Sequence, residues 1–133
     1  MLGKFWHQPA FWAVSLCCWF TLLWWLSSRS LPPVGPTFDH ADKLKHLVYF
    51  TAGSFCVARF LILNRPAWKA ASITLACIAF ALLVGASDEY HQTLTPGRSG
   101  NDPGDLLADT AGGLLGALLA LRSRPQPTPV TPD

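Results

Sequence analysis

The sequence predicts an all-α fold, a four-helix transmembrane bundle, on three observations. Half of its 133 residues are apolar while only 14% are Asp, Glu, Lys or Arg, against about 25% in ordinary soluble domains. The apolar residues gather into four runs of near-bilayer length, and Pro- and Gly-rich turns separate them. The charges collect at the turns, and the few ionisable residues inside the runs stand out for that reason. The length suits one domain, placed at residues 1–124, with a disordered Pro-rich tail at 125–133.

The first span is expected at about 10–27, eighteen residues without a charge and rich in Trp, Phe and Leu. As a helix it reaches about 27 Å, most of a hydrocarbon core. Lys4 precedes it as in a secretory signal peptide, but the run is longer than a usual h-region and no A-x-A site follows, so it reads as an anchor. Trp6, Trp12, Trp24 and Trp25 fall toward its two ends, where an aromatic belt would stand. Pro32, Pro33, Gly35 and Pro36 then exclude a helix and mark an exterior loop.

A second helix, about 42–63, is expected to start on Asp39 or Thr37 as cap, with Asp42 in its first turn. Asp42, His46, Tyr49 and Gly53 recur at i, i+4, i+7 and i+11, one stripe of that helix. Arg59, Arg65, Pro66 and Lys69 read as a basic turn. The third helix, about 67–91, contains a charge-free run from Ala70 to Ala86 and ends in Asp88, Glu89, His91 and Gln92. The fourth, about 103–121, opens on Asp102-Pro103-Gly104-Asp105, a cap, a tolerated first-turn proline and a second acid. Asp102, Asp105, Asp109, Gly112, Gly113 and Gly116 fall within an arc of about 100° on that helix, so this face is expected to point into protein. The Gly112-x-x-x-Gly116 spacing permits close helix approach.

The net charge of +2 is small and its bases are scattered, which excludes a nucleic-acid surface. The four cysteines lie inside apolar runs without metal-binding spacing and read as small apolar residues. Four spans put both termini and the turn near 65 on one side. That side carries six of ten Lys and Arg, which favours cytoplasmic termini. Seven of eight acids gather at the opposite ends, with His40, His46 and His91. There Asp42, His46, Asp88, Glu89, His91, Arg98, Asp105 and Asp109 are expected to converge.

Three chemistries fit such a group. His46, Asp88 and Asp109 could ligate a divalent cation. His46, Asp88, Glu89 and Asp109 could serve as general acid and base beside Arg98, whose guanidinium suits a phosphate oxygen. The group could also be a buried network that fixes the bundle, with Lys43, Lys45 and Arg98 neutralising acids. Asp39, Asp42, Asp102 and Asp105 are equally explained as caps, and His91 as a solvated loop residue. His46 and Asp109, inside apolar runs, are harder to explain in that way.

Two segments, DKLKHLVYFTAG at 42–53 and SDEYHQTLTPGRSGNDPGDLLADTAGGLLG at 87–116, resemble the signature of the bacterial VanZ-like membrane proteins. The first matches D-K-x-x-H-x-x-x-Y/F. The second matches D-E-x-x-Q-x-x-x-P-G-R followed by D-x-x-x-N/D-x-x-G-x-x-x-G. The matching positions are Asp42, Lys43, His46, Asp88, Glu89, Gln92, Pro96, Gly97, Arg98, Asp105, Asp109, Gly112 and Gly116. Position 109 is often Asn in that family. The resemblance implies a multi-pass protein of the bacterial cytoplasmic membrane, and the family's founding member is associated with low-level resistance to teicoplanin, a glycopeptide that acts at the cell wall. The reading expected on these grounds is a cell-envelope protein that acts on or binds a lipid-linked or anionic component at the outer face of the membrane. Arg98, Asp42, Lys43, His91, Gln92 and Asp105 would serve in that binding. The alternatives are a small ion or proton carrier and a structural or regulatory membrane protein.

Overall fold

The computed structural model describes residues 5–30 and 40–124. Four helices follow one another: α1, Pro9–Ser27; α2, Ala41–Asn64; α3, Ala70–Thr93; and α4, Pro103–Arg122. Each is long and apolar enough to cross a membrane. The loop at 31–39, with the expected caps Thr37 and Asp39, and the tail at 125–133 lie outside the described residues.

The α4 helix has its widest interface with α2 and the next with α3, and α2 packs against all three other helices. Its glycines divide those two contacts between them. A Cβ on Gly112 would stand 2.7 Å from the Leu47 carbonyl, and one on Gly116 would stand 2.7 Å from the Phe55 nitrogen, so both backbones lie directly on α2. Gly113 faces the other way, where a Cβ would stand 2.7 Å from that of Ala81 on α3. Without a hydrophobic drive between helices in lipid, such close approach is what lets dispersion contacts accumulate. The leucines of α4 that face outward, Leu107, Leu114, Leu115, Leu118 and Leu119, are exposed as a lipid-facing surface requires.

Helix α1 is fastened to α2 by a reciprocal pair. The Trp19 indole donates to the Tyr49 carbonyl and the Tyr49 hydroxyl donates to the Trp19 carbonyl, each at 2.9 Å, with the rings stacked. Gly53 leaves room for the Trp19 ring. Tyr49 is therefore a helix-packing residue and not a belt residue. Trp12 also departs from the expected belt, because it is buried against Phe55.

Arg59 corrects the sequence reading in the same region. It does not belong to the turn but lies within α2, 2% exposed, over the Trp12 and Trp6 rings. Its guanidinium donates to the Ser123 hydroxyl at 3.2 Å, beside the end of α4. The aliphatic stem of arginine tolerates such burial and its flat head accepts aromatic faces.

Among the cysteines Cys77 is buried in the core, and Cys17 and Cys18 lie exposed on α1.

Candidate functional site

The polar residues collect at the end of the bundle where α1 and α3 finish and α2 and α4 begin. Local sequence explains how each arrives there. Thr95 to Arg98 form a turn closed by Arg98 N–H to the Thr95 carbonyl at 3.1 Å, with Pro96 second and Gly97 third at φ 78°. Pro presets the one dihedral and Gly alone takes the other without strain. The Ser30 hydroxyl donates to the Pro96 carbonyl and pins this turn to the end of α1. Farther on, Gly100 lets the loop lie against the last turn of α3, since a Cβ there would stand 2.7 Å from the Thr93 nitrogen. Asp102 then caps α4 as the sequence predicts, its carboxylate accepting from the Gly104 N–H at 2.7 Å. At the start of α2 the cap position is held by His40, at φ 66° and with no side-chain cap bond.

Within this frame the inward-facing acids are deeply buried. Asp109 is 0% exposed, Asp88 and Glu89 4% each, and Asp105 7%. His46 Nδ1 donates to Asp109 Oδ1 at 2.9 Å. Its Nε2 stands 3.8 Å from Asp105 Oδ2, beyond hydrogen-bond length. Asp109 fits because Gly85 opposes it on α3, where a Cβ would stand 2.5 Å from Oδ2. Asp88 accepts from the Ser27 hydroxyl and from Gln92 Nε2 at 2.8 Å. Glu89 Oε2 accepts from the Asp102 N–H at 2.7 Å, which ties the loop to α3. Two buried carboxylate oxygens here have no partner among the described residues, Glu89 Oε1 and Asp109 Oδ2.

The rim is organised by Lys43. Its ammonium donates to Asp102 at 2.7 Å and Asp105 at 3.0 Å, and reaches Asp42 at 3.3 Å. The Lys43 contact, then the Gly104 N–H, hold the Asp102 carboxyl below its ordinary range. Arg98 is exposed and donates to Gln92 Oε1 at 2.9 Å, so it connects to Asp88 through Gln92.

The structure thus brings together His46, Asp88, Glu89, Gln92, Asp105 and Asp109, with Lys43, Asp42 and Arg98 at the edge. Asp42 does not enter the buried group, since it lies in the first turn of α2 and its side chain is 59% exposed. His91 is turned away altogether. Its ring stacks on Trp24 at 3.9 Å between centroids, because position 91 of α3 faces α1 and not α4. Sequence reasoning missed Ser27 and Gly85. A serine ending an apolar run carries no distinctive signal, whereas Gly85, the lone glycine of the third apolar run, was visible as a place of close approach.

The profile of the VanZ/LLP1 family matches residues 11–124, from the first helix to beyond the fourth. The chain belongs to the VanZ/LLP1 family. No curated protein matches it, and no solved structure does. As a VanZ/LLP1 member with four apolar helices it is a multi-pass membrane protein. The match takes in α1, which the sequence signature had left as an apolar segment only, and every residue of the polar end described above.

Proposed function

We propose that this VanZ/LLP1 protein binds the phosphate-bearing head group of an anionic or lipid-linked envelope component at the outer face of the bacterial cytoplasmic membrane. The observation that carries the reading is the one-sidedness of the buried polar group. His46, Asp88, Glu89, Asp105 and Asp109 all lie at one end, and exposed Arg98 stands beside them on the Pro96-Gly97 turn. A guanidinium at a bilayer boundary matches a phosphate in charge and in planar donor geometry. Its present partner, the neutral Gln92 carbonyl, is one that a phosphate oxygen would outcompete. The charge asymmetry of the turns supports placing this end outside, with both termini in the cytoplasm.

Purification in native lipid followed by mass spectrometry tests the proposal. The wild type should retain phosphate-bearing lipid, and Arg98→Ala should retain at least tenfold less while keeping its helicity. Equal lipid profiles would overturn it. Tags in the Ser99 loop and at the C-terminus should report opposite sides of the membrane.

An ion carrier is the weaker reading. At the opposite end of the bundle the buried charge is a cation, Arg59, packed between Trp6, Trp12 and Ser123. A path for cations or protons would have to pass that positive charge, without a buried acid near it among the described residues.

A further inference from the structure

The buried acids outnumber the cations beside them. Asp88, Glu89, Asp105 and Asp109 share one lysine, which touches Asp105, and one imidazole, which touches Asp109. Arg98 binds an amide carbonyl and no carboxylate. In a region of low dielectric such an excess of negative charge requires either protons or a counter-cation.

Two neighbouring groups of potential ligands differ in how they meet this demand. In Asp42, Asp102 and Asp105 one donor atom from each lies within 4.8 Å of the other two, and the Lys43 ammonium already sits among them. In His46, Asp88 and Glu89 the donors are equally close, and neither acid forms an ion pair among the described residues. Glu89 is 4% exposed and its Oε1 has no partner among the described residues. The orientation of His46 is also fixed from behind. With Nδ1 as donor to an ionised Asp109, the neutral ring carries its lone pair on Nε2, which makes no hydrogen bond among the described residues. A carboxylate behind a histidine is the usual means of orienting that ring toward a metal.

We propose that His46 Nε2, Asp88 and Glu89 Oε1 form a site for one first-row divalent cation, Mn²⁺ or Zn²⁺. Asp109 orients His46 and is not itself a ligand. One imidazole with two carboxylates is a mixed donor set that suits these ions better than Mg²⁺ or Ca²⁺, whose shells are oxygen-based. Ligands of such an ion lie about 2.0–2.2 Å from it, hence about 3–4 Å apart. One donor atom from each of the three residues already lies within 4.8 Å of the other two, so movement of the two carboxylates toward the oriented imidazole would reach that spacing. The remaining coordination positions would open toward the loop, where a head-group phosphate could supply an oxygen. This last step rests on the proposed lipid binding, whereas the cation site stands on its own geometry.

The full chain in nanodiscs of phosphatidylcholine, stripped with chelator, would be titrated with MnCl₂ and then ZnCl₂ by calorimetry. The expected result is one equivalent bound, with affinity lowered more than tenfold in Glu89→Gln and in His46→Gln. Asp109→Asn should keep the stoichiometry but weaken binding about tenfold. Pulsed electron paramagnetic resonance of the Mn²⁺-loaded wild type should show coupling to one imidazole nitrogen, a readout that stands even if the variants fail to fold. Absence of binding at millimolar metal, binding without nitrogen coupling, or full affinity in folded Glu89→Gln would overturn the site and leave protons as the neutralising charge. If one Mn²⁺ binds with nitrogen coupling and lipid retention is nevertheless indifferent to Arg98, the cation site stands and the lipid reading falls.

Discussion

Replacing Gly112 by Ala tests whether helix packing and the polar site form one mechanical unit. The added methyl would stand 2.7 Å from the Leu47 carbonyl and 2.9 Å from the Thr51 nitrogen, both backbone atoms of α2, where ordinary contact begins at 3.4 Å. Relief therefore requires α2 and α4 to part by about 0.7 Å, since neither obstacle can rotate away. Overpacking of this kind costs about 1–3 kcal/mol. Asp109 lies one turn before Gly112, so a rigid separation would stretch the His46–Asp109 hydrogen bond from 2.9 Å to about 3.6 Å, past its useful range. The loss should accordingly lie toward the upper end of that interval. Thermal unfolding in detergent would measure it, and the nitrogen shifts of His46 in ¹⁵N-labelled protein would report the ring's contact with Asp109. Ala111→Val, on the exposed side of α4, serves as the control. If Gly112→Ala matches the control in stability and leaves the His46 signals in place, the coupling of packing to site is wrong.

Three further changes probe other parts of the molecule. Tyr49→Phe removes one of the two reciprocal bonds between α1 and α2, and thermal unfolding should register a loss of about 1 kcal/mol; a loss as large as that of Trp19→Ala would mean the clasp works by other contacts. Arg59→Met replaces a buried cation that has no acidic partner among the described residues by an apolar chain of similar length, so stability should hold or rise by about 1–2 kcal/mol, while Arg59→Ala should lose packing and fall; the same unfolding assay distinguishes them. The Asp102 carboxyl titrates below its ordinary value because Lys43 and the Gly104 N–H favour the anion. Its contribution to stability is complete above the unfolded-state value of about 3.9 and is lost as pH falls through the lower folded-state value. Asp102→Asn should therefore flatten the acid limb of stability below about pH 4 and leave the slope at neutral pH unchanged.

Much of the arrangement was legible because a bilayer enforces it. Apolar runs of about twenty residues have few folded alternatives, and four of them with short turns make a bundle. The arc of acids and glycines on the fourth run shows which face turns inward, since acids there cannot meet lipid and glycines there permit contact. What spacing along one helix cannot show is which neighbour each face meets. Asp42, His46, Tyr49 and Gly53 do share a stripe, yet Tyr49 and Gly53 meet Trp19 of α1 while His46 reaches Asp109 of α4. Lys43, one residue along from Asp42, is the group that meets the α4 acids. His91 likewise lies close to Asp88 in sequence but projects toward Trp24. Arg59 was misplaced because a charge near the end of an apolar run looks like the start of a turn. Nothing in the local sequence announces the aromatic rings 47 and 53 residues earlier that let it stay inside.

The two ends of the bundle solve the burial of charge in opposite ways, and the contrast bears on function. Arg59 is accommodated by aromatic faces, two carbonyls and the Ser123 hydroxyl, although its Nε finds no partner among the described residues. At the polar end each helix contributes a member: Ser27 from α1, His46 from α2, Asp88 and Glu89 from α3, Asp109 from α4. An ionisable residue at mid-bilayer costs about 2.5–3.5 kcal/mol to insert. Networks that merely hold a fold are stable when every member is partnered, and a network left short of partners is worse than apolar packing. Here two buried carboxylate oxygens have no partner among the described residues. A sequence selected for packing alone would be better served by residues without that cost, and the cation site proposed above is one way in which these acceptors are met.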